Sequence, residues 1–154
     1  MLILLHGQDT YRAREKLKEI IAKYKKIHQT GLDLNWLKEE DLVFDKLKQK
    51  IEAVSMFDEK KLIILEDVFQ NKDFQEEFFK YVQKNKLKEN KEVIIVIYEK
   101  KSLTSNITHF SMFQEFKPLE GSQLINWIKK EVTKIRDKVK DNIDDVTGPI
   151  KRNL

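Results

Sequence analysis

Apolar residues follow two alternating rhythms along this chain. Continuous runs at Leu2 to Leu5, Leu62 to Leu65 and Val93 to Tyr98 have the character of strands covered on both faces. The last run is entirely β-branched or aromatic, which places it centrally in a sheet. Between these runs the apolar positions recur at helical spacing: Ala13, Leu17, Ile20, Ile21, Tyr24 and Ile27, then Phe44, Leu47, Ile51 and Val54, then Phe74, Phe78, Tyr81 and Val82. Asp9 or Thr10 suits the N-cap of the first helix, and Gly31 suits its end. Leu32 to Trp36 alternates like a second strand, while Met112 to Phe116 reads as a short strand closed by Pro118.

Strands alternating with helices predict an α/β domain of three layers, with a mostly parallel five-stranded sheet and right-handed crossovers. In such sheets ligands sit at the carboxyl ends of the strands. A C-terminal helix follows, striped by Leu124, Ile128, Val132, Ile135 and Val139, with Trp127 beside the stripe. The expected division is a domain over 1–119, a helix beginning a second domain over 120–141, and a flexible tail over 142–154 containing Thr147-Gly148-Pro149.

One position departs from these rhythms. In Val54 to Leu65 a bulky pair, Met56-Phe57, stands between a helical segment and a buried strand, followed by the charged run Asp58-Glu59-Lys60-Lys61. Two readings are open: the pair folds back as a plug for its own core, or it projects as an anchor for a partner's pocket.

Composition narrows the class. The 154 residues suffice for a substantial core, and 40% hydrophobic with 36% charged residues suits a folded domain with a densely charged surface. No apolar run approaches the roughly 20 residues of a membrane span. The opening Met1 to Gly7 lacks the basic leader and cleavage site of a signal peptide, and there is no cysteine. The reading is a cytoplasmic protein without disulfides or thiolate metal sites. Thirty Lys and Arg oppose 26 Asp and Glu, for a net charge of +4. Lys129, Lys130, Lys134, Arg136, Lys138 and Lys140 are the best candidate for a basic strip, but Glu131, Asp137 and Asp141 dilute it.

Catalytic patterns are missing. A phosphate loop after the first strand would offer glycines and a lysine, whereas Gly7 to Arg14 contains one glycine, no Lys-Ser/Thr pair, and Asp9 where a phosphate needs donors. Glu66-Asp67 resembles the acidic end of an ATPase metal-binding strand, but without a phosphate loop it reads as surface charge or a helix cap. His6, His28 and His109 lack metal-ligand spacing. Carboxylate pairs such as Glu39-Glu40, Glu76-Glu77 and Asp144-Asp145 lie in charged helical or tail sequence. No metal or cofactor is expected, and no enzyme activity.

The succession Leu2-Ile3-Leu4-Leu5-His6-Gly7-Gln8-Asp9, Arg14-Glu15-Lys16-Leu17 and Val54 to Glu66 resembles the N-terminal domain of the delta subunit of bacterial DNA polymerase III. That family opens with a strand, a "YGED"-like turn and an "REKL"-like helix, and carries an "SLFGEKRLVVL"-like stretch. The central strand and the passage from Phe116-Lys117-Pro118-Leu119 to Trp127-Ile128 also match, so the resemblance covers about residues 1–130.

The resemblance implies an AAA+-type domain with a degenerate phosphate loop, and a non-catalytic clamp-loader subunit that grips the sliding clamp (the beta subunit) and helps open its ring during DNA replication. Met56-Phe57 takes the position of the family's apolar anchor, which enters a pocket on the clamp, with Val54 and Ser55 flanking it. Other loader subunits would supply ATP hydrolysis, and any DNA contact would be indirect or weak. Family members are about twice as long, with a complete lid domain and a collar that joins the loader, so collar-mediated assembly is not implied for this chain. The alternatives are an atypical P-loop-like nucleotide-binding or hydrolysing domain and, resting only on the basic terminal helix, a DNA-binding protein.

Overall fold

Five strands pair in the order β2-β3-β4-β1-β5: β1 Leu2–His6, β2 Leu34–Lys38, β3 Lys61–Glu66, β4 Val93–Glu99 and β5 Met112–Glu115. In this computed structural model, which describes residues 1–28, 30–55, 59–103 and 107–146 apart from the side chains at 39 and 143–146, all four pairings are parallel. Helices α1 (Thr10–Ile27), α2 (Phe44–Glu52) and α3 (Lys72–Lys84) connect β1 to β2, β2 to β3 and β3 to β4. The chain thus builds the three-layer α/β fold that its alternation predicts.

Alternation along each strand divides the core. Leu2, Leu4, Ile63, Leu65, Ile95 and Ile97 face one side, where Leu47 and Ile51 of α2 and Phe74, Phe78 and Val82 of α3 pack on them. Leu5, Leu62, Ile64, Val96 and Tyr98 face the other, beneath Ala13, Leu17 and Tyr24 of α1. Every residue of β3 is buried. Each fully buried Leu or Ile contributes about 1.5–3 kcal/mol, so β3 and β4 are the strands whose truncation would cost most.

Local signals position the helices. Asp9 caps α1 by accepting a hydrogen bond from Arg12 N at 3.0 Å, and Asn71 caps α3 by accepting from Phe74 N at 3.0 Å. Several boundaries differ from the sequence reading. Helix α1 ends before Gly31, where His28 N donates to Tyr24 O, and Gly31 instead takes φ +61° in the turn before β2. Strand β2 begins two residues later than expected, because pairing starts at Leu34 against Leu62. Val54 does not continue the stripe of α2, which ends at Glu52, and it is 91% exposed.

The chain divides into two units, Met1–Lys117 and Pro118–Leu154. Helix α4 spans Gly121–Val146, running past the expected boundary at Asp141, and is the sole element among the described residues of the second unit. Residues 147–154 of the expected tail lie outside the described residues. Among the described residues no helix is long and apolar enough to cross a membrane.

Candidate functional site

At the carboxyl edge of the sheet, the turn after β1 is already committed to the protein's own backbone. Gly7 N donates to Glu99 O at 3.2 Å, Asp9 N to Phe116 O at 3.0 Å and Thr10 N to Gln8 O at 2.9 Å. The amide of Arg12 is taken by Asp9, and its guanidinium donates to Asp9 Oδ2 at 2.7 Å and to Lys117 O. A phosphate bound at a helix N-terminus needs such donors free and aimed outward. Gly7 adopts φ +132°, and a Cβ there would lie 2.3 Å from Phe116 O, so the turn is closed against the residue following β5.

A row of polar side chains runs across the same edge. His6 lies beside Glu99 and Glu115 in register, and Asp67 N donates to Tyr98 O at 3.0 Å. Glu66 and Asp67, expected as surface charge or a helix cap, are both buried. Glu66 accepts from Trp36 Nε1 at 2.8 Å. Asp67 sits at φ 56° with no side-chain capping bond, and its carboxylate meets Lys100 Nζ at 2.5 Å.

The rest of the row ties loops to strand ends. Leu103 N donates to His6 Nδ1 at 3.1 Å, which assigns the neutral ring its proton on Nε2. Phe69 N donates to Glu99 Oε1 at 2.8 Å. Burial pushes the Glu99 carboxyl up to about 7, with the charge of Asp67 adding to the effect and the Phe69 amide opposing it. Burial lowers His6, against the raising influence of Glu115. His6 Nε2, Asp67 Oδ1 and Tyr98 Oη have no hydrogen-bond partner among the described residues. No group of three or more His, Asp or Glu able to hold a metal occurs among them either. The row's visible role is to hold the segments after β3 and β4.

The amino edge is arranged differently. The segment between α2 and β3 leaves and returns there, and both of its ends are fixed. Ser55 Oγ donates to Asp33 Oδ2 at 2.5 Å and accepts from Glu59 N at 3.1 Å. Thr30 Oγ1 donates to Glu59 Oε2 at 2.6 Å, and Tyr24 Oη donates to Lys60 O at 2.7 Å. Burial, with the charges of Asp33 and Glu59, pushes the Tyr24 phenol up to about 12, so it stays a donor. Lys61 Nζ reaches back to Lys50 O at 3.0 Å, Ile51 O at 2.9 Å and Ala53 O, closing the end of α2.

Met56 and Phe57, the expected anchor, lie outside the described residues, as does Asp58. Of the flanking pair, Val54 is exposed and Ser55 forms the latch. The bond from Ser55 to Asp33 and the bond from Thr30 to Glu59 were not legible in the sequence, because these residues meet only once β2 and β3 are paired. On α4 the basic residues are interleaved with acids, as in the ion pair between Lys134 Nζ and Glu131 Oε1 at 2.6 Å.

No protein-family model matches the chain, and no curated protein matches it at a significant level.

Proposed function

We propose that this chain is a non-catalytic clamp-loader subunit of the delta type, a cytoplasmic protein that binds a bacterial sliding clamp through Met56 and Phe57 and helps open its ring. The observation that carries the reading is the latched stem around them. Ser55, Glu59, Lys60 and Lys61 are each bonded to the body of the domain, so the chain on either side of 56–58 is fixed at one end of the sheet. Fixed flanks on both sides of a Met-Phe pair suit its insertion into a pocket, since less ordering entropy is lost on binding. The resemblance of Val54 to Glu66 to the family's anchor stretch supplies the identity of the pocket's owner.

The mechanism is mechanical. Binding at one clamp interface favours a ring geometry in which the neighbouring subunit contact is weaker, and the driving energy is the difference in affinity for the two ring states. Hydrolysis of ATP belongs to other loader subunits. The committed amides around Gly7, Asp9 and Arg12 weigh against the nucleotide-binding alternative.

Binding to the cognate clamp tests this reading, with wild type compared to the Met56→Ala/Phe57→Ala double variant. Loss of binding in a variant that melts like wild type supports it. A wild type that does not bind, or a folded variant that binds equally well, ends it.

A further inference from the structure

Helix α4 carries an apolar stripe that is exposed among the described residues. Ile125, Ile128, Val132, Ile135 and Val139 are 46–61% exposed. Their spacing alternates three and four residues, the a and d positions of a heptad, with a at 125, 132 and 139 and d at 128 and 135. The next d position is Asn142. Leu124 widens the stripe at its start, but from Ile125 to Val139 the apolar positions keep to a period of 3.5, the geometry for packing against another helix of the same pitch.

The flanking charges indicate which helix. In a parallel, in-register pair each g residue faces the e residue five positions on in the partner helix, which sets Glu131 against Arg136 twice per pair. Leu124 faces Lys129 in the same scheme, so no like charges oppose, and Asn142 meets Asn142, where the two amides can hydrogen-bond. An antiparallel pair would set Lys129 against Arg136, offsetting its Glu131–Lys138 pairs, and bury Asn142 against Ile125. Glu131 already pairs with Lys134 on its own helix, but a carboxylate has acceptor capacity for both.

We propose that α4 joins a second copy of this chain as a parallel, in-register two-stranded coiled coil over Ile125 to Asn142, a seam of roughly 26 Å. This proposal uses neither Met56 nor Phe57 and does not depend on the clamp reading.

Sedimentation equilibrium of the full chain, over roughly a hundredfold range of concentration, tests it. The expected result is a rise toward twice the 18.5 kDa chain mass. Ile128→Asp/Ile135→Asp abolishes that rise. Glu131→Lys and Arg136→Glu each keep the apolar seam intact and each weaken association roughly tenfold, because two like-charge pairs replace two attractive ones. Mixing these two single variants restores association, since each supplies the charge the other lacks, and only the parallel register gives this rescue. A chain that stays monomeric throughout, an Asp double variant that associates like wild type, or a mixture no tighter than either single variant overturns the proposal.

Discussion

Ser55 and Asp33, 22 residues apart in sequence, are joined side chain to side chain at 2.5 Å, and the same serine oxygen receives the amide of Glu59. One hydroxyl therefore ties the end of the α2 segment to the residue before β2 and to Glu59. Ser55→Ala removes both bonds and leaves the Glu59 amide without its acceptor. The expected cost is about 1 kcal/mol in urea unfolding. Under the clamp reading affinity also falls several-fold while Met56 and Phe57 are unchanged. Equal affinity in the alanine variant would show that the latch does not prepare Met56 and Phe57 for binding.

Lys61 makes a different kind of closure. Its buried side chain donates to three carbonyls at the end of α2, groups that a nine-residue helix cannot satisfy internally. Lys61→Met keeps most of the apolar stem and removes the donors. It should destabilise the protein by about 2 kcal/mol and raise amide exchange selectively in the last turn of α2. Exchange rising uniformly across the sheet instead would mean that the lysine serves the fold as a whole and not this helix end.

Glu99 and His6, neighbours across the β1–β4 ladder, drive stability in opposite directions with pH. The folded state raises Glu99 from 4.5 to about 7, so it holds a proton that the unfolded chain releases. That stabilisation is complete below 4.5 and is lost as pH rises through about 7. His6 is lowered by burial, so its contribution is present while the ring is neutral and is lost as pH falls below 6.5. Glu99→Gln preserves the acceptor for Phe69 N and removes the ionisation. It should gain roughly 2 kcal/mol at pH 8 and almost nothing at pH 4. A variant that tracks wild type at every pH would show that Glu99 is not protonated in the fold.

The strands were legible because they carry unbroken apolar runs: Leu62 to Leu65 and Val93 to Tyr98 became β3 and β4, buried on both faces as such runs require. Pattern failed where tertiary contact overrides it. Val54 keeps helical spacing with Ile51, yet α2 stops at Glu52, where its terminal carbonyls meet Lys61 from the next strand. Glu66 and Asp67 read as surface charge because their partners, Trp36 and Lys100, come from other parts of the chain. The reading of the Gly7 turn depended on residue types alone; the bonds of its amides to Glu99 and Phe116 reach distant parts of the fold and were not legible there.

Gly7 gives the most localised prediction. Its φ of +132° is open only to glycine, and any Cβ would lie 2.3 Å from Phe116 O. Backbone, not a flexible side chain, is in the way, so relief requires moving the end of β5 or the cap of α1. Gly7→Ala should cost about 3 kcal/mol or more. Because Asp9 N and Gly7 N bond to Phe116 O and Glu99 O, the damage should appear first as loss of protection at residues 7, 9 and 116. The same closure predicts that magnesium and ATP leave the melting temperature of the wild type unchanged, since ligand binding would raise it by mass action. A clear upward shift with ATP would mean that the turn opens, and would return the nucleotide-binding alternative to first place.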